Sequence, residues 1–95
     1  MTSSERSKLR SLAMTIPPTL SIGKNGITDT LLNEIRDQLF NREIIKISVL
    51  KNADFGAKDI INDLAEQVEA EPVQAIGNKI TLYKKSNKDD IKHIL

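Results

Sequence analysis

The sequence contains no cysteine and no tryptophan, and it has only one histidine among its 95 residues. Without cysteine the chain has no disulfide framework, no thiolate metal ligand and no cysteine nucleophile. His93 lies near the C-terminus, and no serine has a recognisable base with an orienting acid. We therefore expect neither an enzyme nor a small-molecule substrate or cofactor.

The sequence also lacks a continuous apolar run long enough to span a membrane. Its first residues, Met1 to Arg6, show no hydrophobic segment of the kind found in signal peptides. Together with the absence of cysteine, these features predict a soluble cytoplasmic protein that does not contact membranes. We expect it to be a monomer.

What the sequence does contain is enough apolar material for one core and an uneven distribution of charge. Hydrophobic residues make up 39% and charged residues 28% of the chain, which is typical of a folded domain. Residues 1–27 carry a net charge of +3, residues 59–72 carry five acids and no base, and residues 73–95 return to +3. Such segregation can produce a basic face that attracts a polyanion, and the alternative is a solvated surface on which the charges cluster by chance.

Hydrophobic periodicity predicts the order α-β-α-β-α-β-β, an α/β fold in which helices pack on a mixed four-stranded sheet. The predicted elements are a helix over Glu5–Met14, a strand over Leu20–Ile22, a helix capped by Thr28 and ending near Asn41, a strand over Glu43–Leu50, a third helix ending near Ala70, and strands over Val73–Ile76 and Ile80–Tyr83. We expect one domain over residues 1–85, followed by a loosely held or short helical tail over residues 86–95.

The four residues Gly23-Lys24-Asn25-Gly26 lie between the first strand and the second helix. Two glycines allow the backbone to approach a ligand closely, and the N–H groups of a helix N-terminus favour a phosphate oxygen. Lys24 adds a positive charge. A phosphodiester backbone suits this loop, which resembles the Gly-x-x-Gly loop of KH modules. The alternative is that the glycines serve turn geometry only.

Four segments in this order resemble the CRM domain, the chloroplast RNA splicing and ribosome maturation domain, in its stand-alone YhbY-like form. They are Leu9–Ala13, Ile22–Thr28, Glu43–Ile47 and Val73–Tyr83, and the resemblance covers residues 4–85. It implies a fold similar to the C-terminal domain of bacterial translation initiation factor three. It also implies RNA binding, with the large ribosomal subunit as the expected target and intron splicing or another structured RNA as the alternative.

The same resemblance suggests which residues contact RNA. Gly23, Lys24, Asn25 and Gly26 match the family's loop, and Lys46 matches a basic position in the second strand. Basic residues in the first helix are typical of the family, and here Lys8 and Arg10 are the candidates. Lys84 stands where the family commonly has arginine, so it keeps the charge but loses a planar, bidentate donor.

The sequence also allows a function other than RNA binding. The exposed sheet or the acidic third helix, with Asp59, Asp63 and Glu66, could instead serve a protein-interaction adaptor; we do not expect these acids to bind a metal.

Aromatic residues are only 3% of the chain. We therefore expect Tyr83 to pack, and Phe40 and Phe55 to join the core or close loops rather than stack on bases.

Overall fold

Three helices and four strands follow one another in the predicted order in the computed structural model, which describes residues 1–95. The elements are α1 (Ser3–Ala13), β1 (Leu20–Ile22), α2 (Asp29–Arg42), β2 (Ile44–Val49), α3 (Ala57–Gln67), β3 (Glu71–Ile76) and β4 (Lys79–Tyr83). The predicted element order is thus confirmed, and the differences lie only at element ends. None of the helices is long and apolar enough to cross a membrane.

The strands form one mixed sheet in the order β1-β2-β4-β3. β1 pairs in parallel with β2, whereas β2 with β4 and β4 with β3 pair antiparallel. A parallel pair needs a crossover connection, which α2 provides, while β3 and β4 are joined by the short turn Gly77–Asn78. The predicted four-stranded mixed sheet is therefore confirmed.

One face of the sheet is covered by α2 and α3. Alternation along β2 directs Ile45, Ile47 and Val49 to this face, where they meet Ile80 and Leu82 of β4. Helical spacing supplies the opposing layer, which consists of Leu31, Leu32, Ile35, Leu39, Ile60, Ile61, Leu64, Ala65 and Val68. Burying one such aliphatic side chain contributes about 1.5–3 kcal/mol, so this layer is the main source of stability.

The other face of the sheet carries α1 and a smaller core. Leu9 of α1 packs with Ile44, Val73 and Tyr83, which are all buried. The expectation that Tyr83 packs is confirmed, since only 6% of it is exposed. The last two residues, Ile94 and Leu95, are partly buried and pack against the same cluster.

Both edges of the sheet are short or irregular. β1 has only three residues. At the opposite edge β3 contains Pro72, which has no N–H, and its pairing with β4 shifts register between Pro72 and Gln74. The Pro72 carbonyl accepts a hydrogen bond from Arg6 Nη1 at 3.1 Å, and Arg6 also lies 3.7 Å from Glu71.

Residues 86–95 differ from the loosely held or short helical tail expected from the sequence. They contain no helix, and they are attached to the buried carboxylate of Glu43. That carboxylate accepts hydrogen bonds from Ser86 N–H at 2.7 Å and Ile94 N–H at 2.9 Å, and it lies 2.7 Å from His93 Nδ1. Three partners from one short segment hold the tail against the domain.

The position of Glu43 explains why one side chain can organise the whole segment. It ends α2 with a φ of 66°, its N–H donates to Leu39, and its carbonyl accepts from Lys84 N–H at 2.8 Å. Burial alone would raise the pKa of the Glu43 carboxyl. The hydrogen bonds from Ser86, His93 and Ile94 outweigh burial and hold that pKa below its ordinary value.

Candidate nucleic-acid interface

The Gly23–Gly26 loop forms a tight turn between β1 and α2. The N–H of Gly26 donates to the carbonyl of Gly23 at 3.0 Å, and Gly26 has a φ of +67°, where other residues are strained. At Gly23 an added Cβ would lie 3.3 Å from the Asn52 side-chain oxygen. Both glycines therefore serve the turn itself, and the turn leaves Lys24 and Asn25 exposed to solvent.

The first turn of α2 begins immediately after this loop. Thr28 caps the helix, since its hydroxyl accepts a hydrogen bond from Leu31 N–H at 3.1 Å. The N–H groups of Asp29 and Thr30 donate to no backbone carbonyl, as is usual in the first helical turn. Together with the helix dipole they give this end of α2 a partial positive charge, which the carboxylate of Asp29 in the same turn offsets.

A cleft of about 400 Å³ lies beside the loop and the helix terminus. It is lined almost entirely by polar residues, among them Lys24, Asn25, Thr28, Glu34 and Asn52. Glu34 places negative charge on the α2 wall of the cleft. Lys24 on the loop is the one basic residue that lines the cleft.

Two further loops meet Gly23–Gly26 at the same end of the sheet, which we call the loop end. Leu50 N–H donates to Ile22 O at 2.8 Å, and Val49 N–H donates to Asn78 O at 2.7 Å. The first contact places the turn after β2 beside the end of β1, and the second places the turn between β3 and β4 beside the end of β2. The loop end thus consists of residues 23–26, residues 51–56 and residues 77–79.

Lys51 and Lys79 bring two more cations to the loop end, and the sequence analysis did not assign them to the site. Lys51 is exposed, and Lys79 is held near Asn78, whose Oδ1 accepts from its ammonium at 3.2 Å. The signal was present in the sequence, because the carboxyl ends of two parallel strands lie at one edge of a sheet. A lysine directly after β2 must therefore lie near a loop directly after β1.

Lys46 lies away from this end and has a different environment. Its side chain is on the α1 face of β2, and its ammonium donates to Ala13 O at 2.9 Å and Ile16 O at 3.4 Å. Ala13 is the last residue of α1, where a cation is favoured by the helix dipole, and Ile16 lies in the segment that follows. The structure thus gives Lys46 a role in holding α1 on the sheet.

The remaining predicted contacts are also separated from the loop end. Lys8 and Arg10 are exposed on α1 and take part in neither of the two ion pairs of the protein. Lys84 follows β4 beside Glu43, at the start of β2 rather than its end. Since β2 runs from Ile44 to Val49, the strand rise places Lys84 roughly 16 Å from the loop end along the sheet.

The two phenylalanines have different environments. Phe55 is half-buried, packs against the larger core and approaches Gly26, as expected for a loop-closing residue. Phe40 differs from expectation, because 46% of it remains exposed. It lies one position beyond the buried stripe that ends with Leu39, so it points away from the core.

The fold and the loop define a class of small α/β domains that carry a Gly-x-x-Gly turn between a strand and a helix. Within that class, residues 1–84 match the CRS1 / YhbY (CRM) domain. The chain belongs to this family. CRM domains are a non-catalytic family of RNA-binding proteins.

Relatives of similar length support this assignment. The chain is 36% identical over 89 residues to the Bacillus subtilis protein named "Probable RNA-binding protein YqeI", covering 94% of this chain and 93% of the relative. It is 33% identical over 93 residues to a Haemophilus influenzae protein named "RNA-binding protein", covering 97% of this chain and 93% of the relative.

A solved structure shows the same fold. The solution structure of the Staphylococcus aureus protein SAV1595, described as "a putative RNA binding protein", superposes with a TM-score of 0.70 at 39% identity. The match covers 95% of this chain and 94% of the other. The predicted CRM-type α/β architecture is therefore confirmed.

Proposed function

We propose that this protein binds structured RNA and holds the phosphate backbone at the loop end. The observation that carries the proposal is Lys24, exposed and without an ion-pair partner, in a cleft beside the free amides that begin α2. The RNA-binding names of the CRM relatives support it. Backbone contacts of this kind fix the position of an RNA without reading its sequence.

The expected target is ribosomal RNA of the large subunit during its assembly in the cytoplasm. This part of the proposal rests on the family resemblance, since no residue of the loop end selects one RNA over another. Intron RNA or another structured RNA is the alternative target. A protein-interaction adaptor is the alternative class, in which Gly23–Gly26 is a turn and nothing more.

The three lysines of the loop end set the expected salt dependence. If Lys24, Lys51 and Lys79 each neutralise one phosphate, log Kd should change with log salt concentration by about 2 to 3 units per decade. An adaptor that binds RNA only through its small net charge of +1 would show a weaker dependence.

The test is a titration of large-subunit ribosomal RNA fragments across a salt series. We expect Lys24→Glu to weaken binding about tenfold at moderate salt and to lower the salt slope by about one unit. The side chain is exposed and makes no ion pair, so circular dichroism and urea unfolding should match the native protein.

A matched pair of variants distinguishes the loss of a local contact at Lys24 from the effect of a lower net charge on RNA binding. Lys24→Gln and Asn62→Asp each lower the net charge by one unit, but Asn62 is exposed on α3, away from the loop end. Weaker binding in Lys24→Gln alone supports the loop contact. Equal binding by both variants and the native protein shows that the loop is only a turn, and absence of native binding favours the adaptor.

A further inference from the structure

Phe40 lies in a groove of about 170 Å³ at the end of the sheet opposite the loop end. The groove is formed by the last turn of α2 and the segment after β4, and Lys84, Lys85, Asn87 and Arg36 line it together with the ring. We call it the Phe40 groove. The tail fixes the shape of this groove, because Ser86 Oγ donates a hydrogen bond to the Phe40 carbonyl at 2.6 Å.

The cations of the Phe40 groove are positioned by neutral groups. Arg36 donates to the Gln67 carbonyl at 3.1 Å and to Asn33 Oδ1 at 3.0 Å. The Lys84 ammonium lies 3.4 Å from the Val68 carbonyl. No carboxylate lines the groove, and neither ion pair of the protein involves its residues. Arg36 and Lys84 are therefore ordered without being neutralised, and Lys85 beside them is exposed to solvent.

A half-exposed aromatic ring among ordered, unneutralised cations is the combination that single-stranded RNA requires. Bases stack on aromatic faces, while Lys and Arg contact the flanking phosphates. An acidic peptide would use the cations but gains little from a single flat ring. A small apolar ligand would leave three charges unused in a groove that stays open to water.

We propose that the Phe40 groove is a second RNA contact, in which Phe40 stacks on an unpaired base and Lys84, Lys85 and Arg36 bind the adjoining phosphates. The inference extends the proposed function to a second surface. It also gives Lys84 an RNA contact that does not require it to reach the loop end, roughly 16 Å away along β2.

Two contacts on one RNA act together through effective concentration. A structured RNA with an unpaired segment beside a helix can engage the loop end by its backbone and the groove by a base. Loss of either contact should weaken binding without abolishing it. The two surfaces can therefore be tested separately.

The direct probe is a fluorescein-labelled oligouridylate of about a dozen nucleotides, a length within the range of single-strand binding sites. We expect Phe40→Ala to raise its Kd about fivefold or more, which corresponds to the loss of one stacked base. Phe40→Leu, which keeps apolar bulk, should lose as much, and Phe40→Trp should bind at least as tightly as the native protein. Lys85→Gln should lower the salt slope by about one unit.

A control variant and a cross-linking experiment test whether the oligouridylate binds at the Phe40 groove itself. Met14→Ala removes another exposed apolar side chain, which is 74% exposed and does not line the Phe40 groove, and this variant should bind the oligouridylate normally. An oligouridylate that carries iodouridine should form its light-induced cross-link to the peptide that contains Phe40. The proposal is overturned if Phe40→Ala and Phe40→Leu bind as the native protein does, or if cross-links map only to other peptides.

The outcomes also separate this inference from the loop proposal. If Phe40→Ala weakens RNA binding and Lys24→Glu does not, the groove contact is supported and the loop contact is rejected. The reverse pattern rejects the groove and keeps the loop contact. If a polyglutamate peptide binds in a Phe40-dependent manner and the oligouridylate does not, the groove binds acidic protein segments and the inference is wrong.

Discussion

Replacing Glu43 should detach the C-terminal segment and destabilise the domain. The carboxylate is fully buried and accepts from two backbone amides and His93. A hydrogen bond to a charged group contributes about 1.5–3 kcal/mol, and the Glu43 carboxylate accepts three such bonds. The amides of Ser86 and Ile94 can rehydrate once the segment leaves, so we expect Glu43→Ala to cost about 3–5 kcal/mol rather than the full sum.

Urea unfolding measures this loss, and hydrogen exchange locates it. Exchange at the Ser86 and Ile94 amides should accelerate in Glu43→Ala, while amides of β2 and β4 remain protected. Glu66→Gln is the matched control, because it neutralises an exposed carboxylate of α3 and should change the free energy of unfolding by less than about 0.5 kcal/mol. A loss below about 1 kcal/mol in Glu43→Ala would refute the reasoning.

The same carboxylate gives the domain a defined acid sensitivity. Its pKa is lowered in the folded state, because the hydrogen bonds from the tail outweigh burial. Its contribution to stability is therefore present above the ordinary value of 4.5 and is lost as the pH falls through the lower, folded value. A double-mutant cycle between Glu43→Gln and His93→Gln should give a coupling of about 0.5–3 kcal/mol.

Two further predictions concern single side chains. Burial, followed by the negative charges of Glu43 and Glu5, raises the pKa of Tyr83 above 10.0. Because Tyr83 is the single tyrosine of the chain, its absorbance titration should have a higher midpoint in the native protein than in the urea-unfolded protein. The contribution of neutral Tyr83 to stability is lost as the pH rises from 10.0 through the pKa of Tyr83 in the folded protein. Equal titration midpoints in the native and the unfolded protein would contradict the packing of Tyr83 described above. Lys46→Met should lower the free energy of unfolding by about 1–2 kcal/mol, because two carbonyls at the end of α1 lose their cationic donor. Weaker RNA binding with unchanged stability would instead support the direct contact that the family resemblance suggested.

The elements that follow from local pattern were predictable from the sequence. Ile45, Ile47 and Val49 alternate in β2, and Leu31, Leu32, Ile35 and Leu39 form the helical stripe of α2, so both the element types and their buried faces could be assigned. Thr28 begins α2 as its capping chemistry predicts. These features depend on neighbours within a few residues, which is why periodicity reveals them.

Features that depend on distant partners were not predictable. The tail is held by a carboxylate 43 residues before Ser86, and a single acid ahead of a strand has no local signature. The Lys46 ammonium reaches the end of α1 because that helix crosses the far face of the sheet, a packing choice that composition does not encode. Phe40 was expected to join the core or close a loop because aromatic residues are scarce, but its helical position leaves it 46% exposed.

The two edges of the sheet also bear on what happens when many copies gather on one long polyanion. Crowding of that kind brings sheet margins together, and an open margin with free N–H and C=O groups can recruit another chain and start aggregation. Here one margin is only three residues long, and the other lacks a donor at Pro72 and has its carbonyl occupied by Arg6. Both margins are therefore poor templates for strand pairing between neighbouring copies.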